Sequence, residues 1–387
     1  LFKPHKGQLD PIRAKVFILK KAEPLLFISL DLVGTISHFK KHLLPHIKEL
    51  GFTDKNIFIT STHTHSGPGA LTYNKLWEYM AMDKFKRKLY TKFMAQLVTI
   101  VRNTYDALEP IKLYTHAYKV PGIQHNRSQK DGLVDDKANI LLMKSVQSQL
   151  WLGGMVNLAL HGTALGSSNR KFSADVLGRI ETKLEMDFLS INTYISHLDY
   201  RPSFLFINGA LGDIGPVYGG VEGMDKTAEI FSKVTLKQLP KLKEIAGHWS
   251  ILQKDVYLGK PGLSVYNCSR KNFLGKLIRW TRIFKRRRIR FSRFLPKSET
   301  LTLLKLDNIL MMPWPGEPTA RLGQNLKDLA SEKGDYAWVM GLTNNHLAYF
   351  VTKDEEKLAT KEACTSFYSS QASYNIIDGF KSMLDQI

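Results

Sequence analysis

The chain of 387 residues predicts an α/β fold in which mixed β-sheets are flanked by helices. Three observations carry that prediction. Short apolar runs rich in β-branched residues alternate with longer stretches whose apolar residues recur every three or four positions, the periods of buried strands and amphipathic helices. Apolar residues at 43% and charged residues at 23% are ordinary for a globular protein able to bury a large core. Finally, polar residues of the types used in catalysis begin directly beyond several apolar runs, where α/β sheets collect ligands.

Taken in order, residues 12–19 and 24–32 read as strands joined by a Lys-rich turn. Residues 36–50 have helical spacing, with a kink expected at Pro45 and a stop at Gly51. The run Phe58-Ile59-Thr60-Ser61 leads as a strand into Thr62-His63-Thr64-His65 and the turn Ser66-Gly67-Pro68-Gly69. Residues 76–108 read as one long helix or two shorter ones, and 111–120 as a strand. Apolar runs at 139–143, 154–160, 204–208, 309–312 and 337–340 have strand length, and 249–258 and 300–306 are strand-like. Helices are expected over 174–188, 226–239, 319–330 and most of 354–383. With no repeats and no low-complexity linkers, residues 1–387 read as one domain with a basic insertion at about 262–298.

The His63 segment is the most informative stretch. Side chains alternate along a strand, so His63 and His65 are expected on one face, suited to one metal ligand and one acid/base or oxyanion donor. The Gly-Pro-Gly turn that follows would let substrate approach closely. Hydrogen-bonded structural histidines are the alternative. His63, His161, Asp213, Glu317 and the stretch 344–349 each lie just past an apolar run, which points to a shared site.

Charge is the unusual feature. The net charge is +20, and Arg270 to Lys297 contributes 12 basic residues and no acid. Within that stretch Phe273, Leu277, Trp280, Phe284 and Phe291 fall on one helical face and the other faces are mainly basic. A basic amphipathic helix of this kind fits an anionic membrane surface, and we prefer that partner to nucleic acid or to a solvated loop. No run of 18 apolar residues occurs, and the first residues do not resemble a signal peptide. Cys268 and Cys364 are the two cysteines. They exclude a disulfide framework and a Cys-based zinc knuckle, while leaving one bridge open.

These segments together resemble the neutral/alkaline (non-lysosomal) ceramidases, zinc amidases that release fatty acid and sphingosine from ceramide. Asp10-Pro11-Ile12-Arg13-Ala14 resembles the family's early strand motif, 62–69 its histidine motif, and Asn126-Arg127-Ser128 its active-site Asn-Arg-Ser. His161 sits in the second zinc-histidine segment, and Gly212-Asp213-Ile214-Gly215-Pro216 resembles the Gly-Asp-x-Ser-Pro loop. Pro315-Gly316-Glu317-Pro318-Thr319 and 341–349 resemble the two later metal-ligand segments. The resemblance implies that His63, His161, Glu317 and Tyr349 ligate Zn²⁺, that His65 and Arg127 assist catalysis, and that Asp213 and Gly215 belong to a substrate-binding loop. It implies an activity as well: cleavage of the N-acyl bond of ceramide or a related N-acyl lipid by metal-activated water.

Three departures accompany the resemblance. Gly215 stands where the family loop carries Ser, Lys361 stands where a helix motif carries Tyr, and no C-terminal β-domain like the family's is expected within residues 1–387. Losing the serine argues against a covalent acyl-enzyme. The alternatives are a zinc hydrolase of another amide or ester, or a non-catalytic membrane-binding protein on a ceramidase-like scaffold.

Overall fold

Each of the three main sheets carries a single parallel strand pair, and those pairs decide where chemistry can be placed. The structure, a computed structural model, describes residues 4–195, 200–268, 288–333, 336–358 and 360–387. In the first sheet Ala14–Lys20 pairs antiparallel with Pro24–Leu30, which pairs parallel with Ile57–Ser61. The second runs Lys243–Ile245, Ile111–Lys119, Lys137–Ser145, Trp151–Leu158 and Ser203–Asn208; only the last two are parallel. The third is ordered Trp249–Tyr257, Ser298–Leu306, Ile309–Pro313 and Tyr336–Met340, again with the last pair parallel. The expected mixed sheets flanked by helices are present, and the sheets of the described residues form no closed barrel.

The sheets face one another across a shared core. Phe27 and Phe58 from the first, Leu141 and Leu205 from the second, and Met311 and Trp338 from the third fall in one buried cluster. Each such side chain contributes about 1.5–3 kcal/mol on burial. Helices cover the outer faces: Arg87–Asp106 the first sheet, Asp175–Ile195 and Gly220–Leu236 the second, and Ala320–Ser331 and Ser370–Leu384 the third. No helix among the described residues is long and apolar enough to cross a membrane.

Several expectations change in detail. The helix expected over 36–50 is one short helix, His38–Leu43, followed by 3-10 turns at Leu44–His46 and Lys48–Leu50. Pro45 lies at the start of the first turn, where its missing N–H costs nothing, and Gly51 ends the segment at φ 89°. The 76–108 stretch divides into Lys75–Met80, capped by the Asn74 side chain, and Arg87–Asp106. The C-terminal stretch breaks between Lys361–Thr365 and Ser370–Leu384.

The basic insertion begins and ends side by side. Gly262–Ser264 pairs antiparallel with Arg288–Arg290, and Arg288 forms an ion pair with Glu356 at 2.8 Å. Cys268 and Cys364 form the bridge that the sequence left open. Phe291, expected on the membrane-facing side of a helix, follows a strand instead and packs edge-on against Phe367 at 5.4 Å. The helical face through Phe273, Leu277, Trp280 and Phe284 lies outside the described residues.

A buried ion cluster joins the first sheet to the helix that covers the second. Lys15 Nζ lies 2.9 Å from Glu181 and 2.5 Å from Glu185, and donates to the Phe204 carbonyl at 2.6 Å. Lys15→Met removes the cation and leaves Glu181 buried without its partner. The change is expected to cost about 3–5 kcal/mol, read as a lower urea midpoint at unchanged slope.

Candidate functional site

All three parallel pairs discharge their chain ends into one place. His63 follows Ile57–Ser61, His161 follows Trp151–Leu158, Glu317 follows Ile309–Pro313 and Tyr349 follows Tyr336–Met340. The two-residue strands Glu317–Pro318 and Tyr349–Phe350 then pair parallel, with Glu317 opposite Tyr349. Gly316 makes that pairing sterically feasible: at φ 156° a Cβ there would come within 2.5 Å of the Ala348 carbonyl oxygen. A buried amide ties the two histidine arms together. Asn208 donates to the Thr62 and Leu160 carbonyls at 3.2 and 2.8 Å and accepts from the Leu160 N–H at 3.0 Å.

The structure brings the four expected ligand side chains together. Glu317 Oε2 lies 3.2 Å from both His63 Nε2 and His161 Nε2, and Tyr349 Oη lies 3.5 Å from His161 Nε2. All four are buried. The opposite ring nitrogens are tied to the backbone: His63 Nδ1 to the Val33 carbonyl at 2.5 Å, and His161 Nδ1 to the Leu211 and Ile214 carbonyls at 2.8 and 3.0 Å. A carbonyl only accepts, so Nδ1 carries the proton and a neutral ring turns a lone pair inward at Nε2.

Electrostatics then calls for a cation. Burial, followed by the nearby Arg127 charge, lowers His161 to about 3, so its ring is neutral at pH 7. Burial alone would raise the Glu317 carboxyl, yet the charge that a protonated imidazole, His63 first, places beside it holds it well below the carboxylate range. Its Oε2 is a buried oxygen with no hydrogen-bond partner among the described residues. Two imidazole lone pairs and a carboxylate oxygen within 3.2 Å are stable only with a positive charge among them. That charge is either a second proton on an imidazole or a metal ion. Two nitrogens, a carboxylate and a phenol are donors that suit Zn²⁺. Burial and the Glu317 charge hold the Tyr349 phenol well above its usual value, so without a cation it is protonated.

Arg127 closes one side of the cluster. Its guanidinium donates to Tyr349 Oη at 3.0 Å and to the Gly212 carbonyl at 2.8 Å, and pairs with Glu362 at 3.2 Å. The loop at 212–216 positions it: Gln124–Asn126 pairs antiparallel with Ile214–Pro216, and the Arg127 N–H donates to the Asp213 carbonyl at 2.8 Å. Asp213 is buried, and it accepts from the Ala320 N–H and the Asn126 side-chain amide, both at 2.7 Å. Burial raises its carboxyl to about 6 despite those two donors. A Cβ on Gly215 would meet His125 Cε1 at 3.2 Å and Arg127 Cβ at 3.8 Å, so a serine there would lie against the arginine.

His63 and His65 meet by a different route from the one expected. The strand ends at Ser61, and His63 adopts a left-handed conformation at φ 63°. The two rings still approach edge-on at 4.8 Å, with His65 Nε2 3.3 Å from His63 Nε2 and His65 on the exposed side. The Gly-Pro-Gly turn leaves no gap for substrate at its glycines. A Cβ on Gly67 would come within 2.5 Å of the Asp31 carbonyl oxygen, and one on Gly69 within 2.7 Å of Asp83 Cβ. The chain itself occupies that space.

Sequence reasoning missed His346. It is buried, its Nε2 lies 3.3 Å from Glu317 Oε1, and its ring is parallel to His63 at 5.9 Å. Its position inside the 344–349 stretch was the available signal. Glu362, the partner of Arg127, was likewise not singled out.

Fold and site first define a class: an α/β protein whose candidate metal centre is assembled beyond the carboxyl ends of parallel strand pairs. Residues 4–236 match the model of the neutral/alkaline non-lysosomal ceramidase N-terminal region, and the chain belongs to that family. It is 22% identical over 255 residues to the neutral ceramidase of Pseudomonas aeruginosa, covering 60% of this chain and 36% of that protein. Neutral ceramidase 2 of Arabidopsis thaliana is 27% identical over 188 residues, covering 43% and 24%. The chain thus spans about a third or less of these relatives' length. The crystal structure of the Pseudomonas aeruginosa enzyme superposes with a TM-score of 0.78 at 15% identity, covering 97% of this chain and 69% of that one.

Asp213→Ala removes both acceptors at once and leaves the Ala320 N–H and one N–H of the Asn126 amide, whose other donates to the Leu133 carbonyl, without acceptors. The cost is expected to be about 1–3 kcal/mol, measured as a drop in the chemical-denaturation midpoint.

Proposed function

We propose that residues 1–387 form a zinc-dependent amidase domain that hydrolyses the N-acyl bond of ceramide or a related N-acyl lipid to fatty acid and amine. The observation that carries this reading is the convergence of His63 Nε2, His161 Nε2 and Glu317 Oε2 within 3.2 Å, with the outer imidazole nitrogens bound to backbone carbonyls. Family membership supports it.

His63, His161, Glu317 and Tyr349 would hold Zn²⁺, which when bound acidifies a water molecule to supply hydroxide near neutral pH. Around that centre the chain's own groups divide the remaining work. His65, on the open side and 3.3 Å from His63, hydrogen-bonds the attacking water or the oxygen of the tetrahedral carbon. Arg127 cannot lose its proton under these conditions, and it offers a fixed positive charge where the amide carbonyl oxygen becomes negative. Its bonds to Gly212 and Glu362 hold it in place before substrate arrives. Collapse of the tetrahedral carbon breaks the C–N bond, and the amine leaves with the proton that the attacking water gave up. The loop carries Gly215, so no hydroxyl at that position serves as a nucleophile.

Metal analysis of the purified chain is expected to find about one zinc per molecule. His63→Ala and Glu317→Gln should lose the metal, and hydrolysis of a fluorescent ceramide or N-acyl lipid panel should fall to background in both. Hydrolysis that survives these changes or chelation would overturn the assignment. Bound zinc without turnover of any N-acyl compound would instead support a non-catalytic scaffold.

The basic stretch Arg270 to Lys297 would hold the domain against anionic lipid, bringing the site to a substrate that resides in membranes. Co-sedimentation with liposomes should rise with their anionic lipid content and drop when the Lys and Arg residues within 270–287 are replaced by Gln, which leaves the Arg288–Arg290 strand in place.

A further inference from the structure

Beside the metal cluster is a surface cleft of about 460 Å³ lined by Arg127, Ser128, Gln129, Leu358, Thr360, Lys361 and Glu362. Its charges do not cancel. Arg127 is matched by Glu362 at 3.2 Å, whereas the exposed Lys361 side chain has no ion pair or hydrogen bond among the described residues. One unit of positive charge is therefore left over in a concave space whose arginine also touches Tyr349 at 3.0 Å. The wall of the cleft also holds an unpaired polar atom. Ser128 Oγ is buried and has no hydrogen-bond partner among the described residues, while its backbone N–H is already given to Asn126 Oδ1 at 3.0 Å.

A neutral diol head group, such as that of a ceramide, would leave the Lys361 charge to solvent and gain no charged contact from it. A phosphate monoester would bring close to two negative charges against one. A carboxylate matches the surplus and can accept from Lys361.

We infer that this cleft binds a carboxylate on the substrate, so that the preferred substrates are N-acyl amides with a carboxylate a few bonds from the scissile bond, as in N-acyl amino acids, and Lys361 determines that specificity. The inference rests on the amidase reading for its consequence, but the anion site can be tested separately.

Binding to the full-length, zinc-loaded chain is measured by calorimetry with N-(dodecylsulfonyl)glycine and N-(dodecylsulfonyl)ethanolamine, below their micelle concentrations. Both are sulfonamides that resist hydrolysis, and they differ in the carboxylate. The glycine compound should bind about tenfold tighter or more, the worth of one charge-assisted hydrogen bond. Lys361→Met should abolish that preference, and Lys361→Arg should keep it. Equal affinity for the two compounds in the unaltered chain, or a preference that survives Lys361→Met, would overturn the inference. In turnover, N-dodecanoylglycine should exceed N-dodecanoylethanolamine mainly through a lower KM, and Lys361→Met should raise that KM. A chain that shows the binding preference yet cleaves no amide would refute the amidase reading and leave the carboxylate site standing.

Discussion

The hydrogen bonds that fix the imidazoles of His63 and His161 govern the rest of the site. Each ring gives its Nδ1 proton to a main-chain carbonyl, at Val33 for one and at Leu211 and Ile214 for the other. That choice sets the tautomer, aims the second nitrogen inward, and leaves the Glu317 carboxylate facing lone pairs rather than donors. Backbone carbonyls of packed strand ends are rigid partners, so the arrangement does not depend on flexible side chains. The left-handed backbone of His63 is part of the same constraint. A conformation that usually costs on the order of 1–3 kcal/mol persists because the surrounding hydrogen bonds allow no other.

The fold delivers these residues by repeating one device three times. A parallel pair on each sheet leaves two carboxyl ends adjacent, and the chain beyond them turns into a common crevice. Buried amides then fix the distances between arms. Asn208 joins the segments leading to His63 and His161. Asn344 extends the first sheet by exchanging bonds with Ile59 at 2.7 and 2.9 Å, which carries the His346–Tyr349 segment across to the histidines.

How much of this could be read beforehand depended on whether the cause was local. Apolar runs such as 57–61 and 203–208 are strands because they are β-branched or aromatic and buried on both faces, and that pattern is visible in the residues themselves. The clustering of His63, His161, Glu317 and Tyr349 followed from their shared position after such runs, with the resemblance supplying their grouping. The route by which His63 and His65 meet was hidden, since strand alternation stops at Ser61 and a left-handed residue takes over. Nor could Gly67 and Gly69 be distinguished from substrate-facing glycines, because their spatial neighbours Asp31 and Asp83 are set by tertiary packing. The same holds for His346, whose partner Glu317 comes from a different strand. Phe291 does not belong to the apolar helical face assigned to it, because periodicity alone did not register that Arg288–Arg290 would pair with Gly262–Ser264.

The bond between Cys268 and Cys364 has a consequence beyond holding two short helices together. It fastens the root of the basic insertion to the segment that carries Lys361 and Glu362, alongside the Arg288–Glu356 pair and the Gly262 N–H bond to the Phe367 carbonyl. Any displacement at the root of the insertion is thereby transmitted to one wall of the cleft next to Arg127. Thiol chemistry in the surroundings controls the stiffness of that linkage, so a reducing milieu would slacken the wall without disturbing a single ligand of the candidate metal centre.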